Sequence, residues 1–169
     1  MGRRGTRSVL LGWAISSFVC TTALANPQGA TVAHGQATFT NPAPNALHIT
    51  NTPGTVINWK GFSISQGELT RFIQQSSVSA VLNRVTGGNP SQILGSLLSN
   101  GRVFLINPNG MVFGASAVID TAGFIASTLN ITDEDFLKGN LNFVGDGSEG
   151  SIHNHGFIKA GTEIGRAHV

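Results

Sequence analysis

From residue 103 onward, the chain alternates short apolar runs with clusters of Asn, Asp and Gly. The runs cover residues 103–106, 111–113, 117–119, 124–127, 141–144 and 157–159. Runs this short, rich in β-branched and aromatic residues and bounded by turn-forming residues, predict strands joined by corners rather than helices. The composition agrees, because the chain has 22 glycines and 10 phenylalanines but few strong helix formers. We therefore predict an all-β fold.

Three of the predicted corners share one pattern, a glycine followed by two apolar residues. The glycines are Gly110, Gly123 and Gly156, and each can take the positive φ that a sharp corner needs. Their spacing is too irregular to prove a repeat. Solenoid coils interrupted by inserted loops would still produce this pattern, because each coil buries its apolar face against its neighbours.

The stretch INPNGMVFG, residues 106–114, predicts a rigid corner. Pro108 fixes its own φ and holds Asn107 extended, while Asn109 and Gly110 tolerate a left-handed turn. The amide side chains of Asn107 and Asn109 can then satisfy backbone groups that the bend leaves unpaired. An ordinary hairpin turn uses the same residue types, so the pattern alone leaves both structures open.

The first 25 residues have the three parts of a Sec signal peptide. Three arginines lie in residues 3–7, a mainly apolar stretch follows at residues 9–19, and a small-x-small triplet ends at Ala25. This arrangement predicts cleavage between Ala25 and Asn26. The apolar stretch is shorter than the roughly 18 to 20 residues that span a bilayer, which argues against a membrane anchor.

Removing this leader changes both the charge and the cysteine count. Seven Lys and Arg then face eight Asp and Glu, a net charge of −1, whereas nucleic-acid binding needs a basic surface. We therefore expect no nucleic-acid partner. Cys20 is the one cysteine of the sequence and lies in the leader. The mature chain therefore has no internal disulfide, and its stability must come from burial and backbone hydrogen bonds.

The last six residues, 164–169, match the in-frame translation of the start of a common short-read sequencing adapter. We therefore expect that these residues are foreign to the natural protein and that its chain continues past residue 163. Residues 26–163 would then form a C-terminally truncated domain. A natural polar C-terminus is the alternative.

Residues 79–131 carry the most informative pattern, including the stretch NGRVFLINPNG. The most specific pieces are residues 83–85, 89–93, 100–110 and 123–128. They resemble the N-terminal secretion domain of two-partner-secreted (TPS) exoproteins, the filamentous haemagglutinin family, and above all its branch of high-molecular-weight adhesins. A weaker resemblance extends from residue 45 to residue 161.

This resemblance implies a fold, a partner and a location. The family's secretion domain is a right-handed parallel β-helix with an N-terminal β cap and extra-helical strands. After Sec export it is recognised in the periplasm by the POTRA domains of an Omp85-type (TpsB) outer-membrane transporter, and it folds outside the cell. The resemblance therefore implies a non-catalytic secretion domain of a secreted or surface-associated adhesin, whose missing C-terminal region binds a host receptor or glycan.

Two family motifs can be compared with this sequence. The asparagine-proline-asparagine-glycine motif matches Asn107, Pro108, Asn109 and Gly110, and the resemblance implies that these act in folding or in transporter recognition. The asparagine-proline-asparagine-leucine motif of many members has no copy here. Its nearest counterpart is Asn89, Pro90, Ser91 and Gln92, which departs from that second motif at its third and fourth positions.

Other patterns have simpler explanations. Residues 145–150 fit G-x-G-x-x-G, but no strand–turn–helix unit surrounds them, so we predict a loop. His153 and His155 alone make a weak metal site, and we predict no metal and no cofactor. Thr132 followed by acidic residues predicts the N-cap of a short helical turn. Asn130 begins a glycosylation sequon.

We find no motif of a catalytic nucleophile or of a histidine–zinc site in the sequence. A parallel β-helix can nonetheless carry polysaccharide lyases or glycosidases, whose acidic residues project from neighbouring coils. A secreted β-helical carbohydrate-active enzyme is therefore the alternative function. Acidic residues clustered in a surface groove would favour it.

Overall fold

The computed structural model describes residues 26–147 and 149–163, so Ala25 and residues 164–169 lie outside the described part of the chain. This part contains fifteen strands and one helix, α1 (Asp133–Lys138). The strands are β1 (Thr31–His34), β2 (Ala37–Ala43), β3 (Ala46–Asn51), β4 (Thr55–Trp59), β5 (Leu69–Ile73), β6 (Ala80–Val85), β7 (Ser91–Ile93), β8 (Ser96–Ser99), β9 (Arg102–Ile106), β10 (Met111–Phe113), β11 (Val118–Ser127), β12 (Asn130–Ile131), β13 (Phe143–Val144), β14 (Ile152–Asn154) and β15 (Phe157–Glu163).

Most strands stack in parallel on three faces of a solenoid of about four turns. Face A consists of β4, β6, β9 and residues 123–127 of β11. Face B consists of β3, β5, β8, residues 118–121 of β11, and β15. Face C consists of β7, β10 and β14, and the bridge between Ile64 and Ile93 extends it by one coil. The predicted parallel β-helix is confirmed.

Side chains alternate between the inside and the outside of the helix, as the two-residue period of a strand requires. On face A, Ile57 and Leu105 point inward and are fully buried. Their neighbours Val56 and Phe104 point to the outer side of the same face and are buried in a second, separate cluster. The interior cluster also holds the largest buried rings, among them Trp59, Phe62, Phe72 and Phe113.

Two antiparallel strands close the N-terminal end of the helix. β1 pairs with β4, and β2 pairs with β3. The ring of Phe39 on β2 meets Trp59 edge-on at a centroid distance of 5.8 Å, a favourable aromatic geometry. These strands are the predicted β cap.

An insertion between coils covers the outer side of face A. We call residues 130–144, which comprise β12, α1 and β13, the strap. β12 and β13 pair antiparallel to each other outside the helix, as the predicted extra-helical strands do. Thr132 caps α1 by accepting a hydrogen bond from the Asp135 N–H, and acidic residues fill the first turn, which confirms the predicted capped turn.

The structure corrects three details of the predicted strands and corners. Residues 117–119 and 124–127 do not form two strands but parts of one, β11, because β8 pairs with its first half and β9 with its second. The predicted strand 141–144 shortens to Phe143–Val144. Of the three corner glycines, Gly110 takes a positive φ of 101°, whereas Gly123 and Gly156 do not. Gly156 is instead closely packed, since a Cβ there would lie 2.8 Å from the Gly114 carbonyl oxygen.

Candidate functional site

The two predicted motifs meet at one edge of the helix. We call the edge where the chain passes from face A to face C the A–C corner; it stacks residues 60–61, 86–90, 107–110 and 150–151 from successive coils. Asn107 and its motif follow β9, whereas residues 89–92 lead into β7 on the preceding coil. Parallel pairing of β7 with β10 holds these two segments side by side.

Asn107 is the central residue of this corner, and its side chain is fully buried at 0% exposure. Its amide nitrogen Nδ2 donates to the Asn89 carbonyl oxygen at 3.1 Å and to Ser91 Oγ at 2.9 Å. Its Oδ1 accepts from the Asn109 backbone N–H at 3.0 Å and from Asn109 Nδ2 at 3.1 Å. The whole amide is therefore used inside the protein, as a buried polar group requires.

Backbone hydrogen bonds extend the corner to the coils on both sides. Toward the preceding coil, the Ser91 N–H donates to the Gly110 carbonyl oxygen at 3.0 Å. Toward the following coil, the Asn107 N–H donates to the Ser127 carbonyl oxygen at 3.0 Å, and the Pro108 carbonyl oxygen accepts from the Gly150 N–H at 2.7 Å. The motif thus connects three successive coils rather than closing an isolated hairpin turn.

Close backbone stacking at the A–C corner requires glycine at three positions of this region, Gly87, Gly110 and Gly150. Gly110 has a positive φ, and a Cβ there would lie 2.8 Å from the Ser151 carbonyl oxygen. A Cβ at Gly150 would lie 2.5 Å from the Asn109 carbonyl oxygen. Side chains at these positions would push the coils apart.

Several motif side chains remain on the surface at this corner and on the start of β7 beside it. Asn89, Pro90, Gln92 and Asn109 are exposed, and Pro108 is half-buried. We call the four exposed residues the ridge. Asn109 still contributes to the corner, because its Nδ2 donates to the Gly87 carbonyl oxygen at 2.8 Å. Buried and exposed motif residues therefore occupy one continuous edge.

A second amide network, which was not predicted from the sequence, lies at the edge where the chain passes from face B to face A. We call this edge the B–A corner. Gln74 and Asn100 exchange reciprocal hydrogen bonds of 2.7 Å, since the Gln74 N–H donates to Asn100 Oδ1 and Asn100 Nδ2 donates to the Gln74 carbonyl oxygen. Gln74 Nε2 also donates to the Arg102 carbonyl oxygen at 2.9 Å.

Asn83 was also missed, although it is a fully buried amide in the interior. Its Oδ1 accepts from Trp59 Nε1 at 2.9 Å, and its Nδ2 donates to the Phe104 carbonyl oxygen at 3.2 Å. It satisfies the indole N–H that burial of Trp59 would otherwise leave unpaired. A polar residue at an inward strand position was the available signal.

The remaining predicted features lie away from the A–C corner or carry ordinary structural roles. Asn26, on the mature side of the predicted cleavage site, accepts a hydrogen bond from Thr70 Oγ1 at 3.2 Å. His153 lies exposed on β14 and His155 just after it. Within residues 26–147 and 149–163, no three His, Cys, Asp or Glu residues are grouped so as to hold a metal ion. Nor does a helix of this part have the length and hydropathy of a membrane span.

Asp146 and Glu149 line a surface groove between the strap and Pro108. The described residues of the G-x-G-x-x-G stretch form a loop there, as predicted. The Glu149 carboxylate accepts hydrogen bonds from the backbone N–H groups of Asp146 and Gly147. This carboxylate therefore stabilises its own loop.

A capped parallel β-helix whose coils are joined at amide-rich corners defines the chain as a β-solenoid protein. The identification can be made more specific, because residues 23–169 match the family model of the TPS secretion domain. The chain belongs to this family, and it is the secretion domain of an exported protein. Exoproteins of the family are secreted across the outer membrane, so the chain is secreted or associated with the cell surface.

Individual relatives agree with this assignment. A heme/hemopexin-binding protein of Haemophilus influenzae strain Rd is 41% identical over 105 residues, which are 62% of this chain and 12% of that protein. A second protein of the same name from Haemophilus influenzae is 44% identical over 75 residues, 44% of this chain and 8% of the relative. The chain thus spans only a small part of the length of these curated relatives.

A solved structure resembles the fold directly. The crystal structure of the HMW1 secretion domain from Haemophilus influenzae superposes with a TM-score of 0.74 at 45% sequence identity, covering 78% of this chain and 36% of that one. These relatives are secretion domains or binding proteins.

Proposed function

We propose that this domain is the export signal that a TpsB-type transporter of the Omp85 class recognises through its POTRA domains. On this proposal, the Sec translocon delivers the chain to the periplasm, the leader is removed between Ala25 and Asn26, and the transporter then binds the domain. Membership of the TPS family supports a dedicated outer-membrane transporter as the partner.

The observation that carries our assignment of roles is the burial of Asn107. A side chain with 0% exposure and a fully used amide has no group left for a partner, so we assign Asn107 to folding. The ridge residues Asn89, Pro90, Gln92 and Asn109 lie on the same edge but are exposed. We assign them to transporter recognition, since binding requires accessible side chains.

Gln92→Ala tests this assignment, with Gln75→Ala as its matched control. Both glutamines are exposed, but Gln92 lies on the ridge and Gln75 at the B–A corner. We expect Gln92→Ala to weaken binding to purified POTRA domains and to lower secretion at least threefold while the denaturation midpoint stays unchanged. Gln75→Ala should leave all three measurements unchanged. Equal binding by the two variants would refute the ridge as the recognition surface.

We further propose that folding outside the cell makes export directional. Each coil that stacks on the last buries apolar area worth about 25 cal/mol per Å², which opposes backward sliding of the chain. Phe124 is inward-facing and 5% exposed, whereas Val118 on the same strand is 39% exposed. Phe124→Asp should therefore stall export and leave protease-accessible chain in the periplasm, whereas Val118→Asp should be exported normally. Undiminished export of Phe124→Asp would count against folding as the driving force.

We infer that the domain itself is non-catalytic and that the remainder of the natural exoprotein binds a host receptor or glycan. The names of the relatives support binding rather than catalysis, and Glu149 is engaged by its own loop. If the alternative of a carbohydrate-active enzyme were correct, the purified protein would release reducing sugar from host or plant polysaccharides, and Asp146→Asn would abolish that release.

A further inference from the structure

We infer that the strap is a separable structural unit that closes over an already assembled helix, with Arg84 as the latch that holds it. The strap packs on the outer side of face A, against Val56, Leu82, Phe104 and Ile106 of the first three coils, through Ile131 and Phe136. The rings of Phe104 and Phe136 meet at a centroid distance of 5.1 Å.

The two apolar clusters of the protein share no residue among those described. The interior cluster is built from residues of the coils, whereas the strap contributes only to the outer cluster. Displacing the strap would therefore expose an apolar surface on face A and leave the interior packing intact. Such separation of contacts is the condition for local opening below global unfolding.

Arg84 makes the polar contacts that hold the strap to the helix. It lies on β6 with its side chain 15% exposed. Its Nε donates to Asn130 Oδ1 at 2.9 Å, its Nη2 donates to the Ile131 carbonyl oxygen at 2.6 Å, and the same nitrogen pairs with Asp133 Oδ1 at 2.8 Å. A planar guanidinium with several donors suits this set of contacts, which one ammonium group could not reproduce.

Arg84 also reaches toward the first coil, where Nη1 donates to Asn58 Oδ1 at 3.3 Å. Its strap contacts join residues 46 and 47 positions apart in the chain. The latch can therefore close only after the chain from β6 to β12 is available for folding. Closure of the strap covers the first three coils, whereas β14 and β15 add to faces C and B later in the chain.

Hydrogen exchange followed by mass spectrometry tests this inference on the full chain. In Arg84→Met, we expect strap amides that donate hydrogen bonds, such as those of Phe136 and Asn140, to exchange at least tenfold faster. Exchange in β9 and β10 should stay unchanged. Arg71→Met removes an exposed arginine from β5 on face B and should alter neither region. Arg84→Lys should give an intermediate acceleration in the strap.

Two results would overturn the inference. Equal acceleration in the strap and in β9 would show that the strap does not open separately, and unchanged strap exchange would show that Arg84 is no latch. If Arg84→Met fails to fold, Asp133→Asn provides the same test more gently. It removes only the ion pair to an aspartate whose side chain is 43% exposed, and a two- to threefold acceleration confined to the strap is expected.

Discussion

The A–C corner and the B–A corner turn the same chain on successive coils, yet their buried polar groups are hydrogen-bonded to different extents. At the A–C corner, both ends of the Asn107 amide are hydrogen-bonded. Within residues 26–147 and 149–163, three buried side-chain oxygens have no hydrogen-bond partner from the protein itself, and all three lie at the B–A corner. They are Asn51 Oδ1, Gln74 Oε1 and Thr121 Oγ1.

The two corners therefore differ in how completely their buried polar groups are hydrogen-bonded. A buried oxygen without a partner costs about 1 to 3 kcal/mol relative to a satisfied one. The B–A corner therefore carries an unfavourable term on three coils that the A–C corner avoids. Both corners link neighbouring coils, but the amide of Asn107 uses both of its ends, whereas Gln74 Oε1 has no protein partner.

Asn107→Ala should disrupt the hydrogen bonds of the A–C corner and cause the largest loss in the free energy of unfolding. The substitution leaves the Ser91 hydroxyl, the Asn89 carbonyl oxygen and the Asn109 N–H without their partner, at a cost of about 3 kcal/mol. Urea denaturation of the purified protein measures the loss. Asn109→Ala is the control, because its side chain is exposed and should cost about 1 kcal/mol. Equal losses would mean that burial at this corner does not decide its strength.

Gly110→Ala should strain the same corner through the backbone. The residue has φ 101°, and its Cβ would contact the Ser151 carbonyl oxygen at 2.8 Å, so we expect a loss of about 2 kcal/mol. Gly67→Ala separates the effect of the positive φ from that of contact with the neighbouring coil. Gly67 has φ 80° but open space around it, so the variant should be destabilised by about 1 kcal/mol. Thermal denaturation of both variants compares them. If Gly67→Ala is as destabilising, contact between coils adds nothing.

Thr121→Val should remove an unpartnered hydroxyl from the B–A corner and cause the smallest change in the free energy of unfolding. It replaces the unpartnered hydroxyl with a methyl group of similar shape on an inward strand position, so the protein should gain up to about 1 kcal/mol. Thr70→Val is matched to it, because Thr70 is fully buried but donates to Asn26 Oδ1; it should lose about 1 kcal/mol. Destabilisation by both changes in chemical denaturation would show that Thr121 Oγ1 has a partner in solution.

The sequence indicated a tight bend at residues 106–114 because its signals are local, although the same signals also fit a hairpin turn. Pro108 restricts one backbone torsion and Gly110 permits a positive φ. Both effects can be inferred from the four consecutive residues of the motif. The short apolar runs bounded by turn-forming residues likewise predicted β9 and β10, and Thr132 with its acidic neighbours predicted the start of α1. Each of these depends on residues within a few positions of one another.

The B–A corner could not be predicted in the same way. Gln74 and Asn100 pair across 26 positions. Asn100 precedes Gly101 and so carries a turn signature, but that signature does not identify Gln74 as its partner. The division of β11 between two faces was missed for a related reason. The residues at Ala122 and Gly123 suggest a break, but pairing with neighbouring strands on both halves keeps the segment extended. Long-range partners decide both features, and a single sequence does not show them.

The continuity of β11 has a consequence for how reliably the coils align. A strand that pairs on one face can slip along its neighbour by breaking one ladder. β11 pairs with β8 through residues 118–120 and with β9 through residues 123–127, so any slip must break ladders on two faces at once. Misalignment at the fourth coil therefore breaks two ladders rather than one. β11 therefore holds the strand register on both faces, and the coils that stack on it later follow that register.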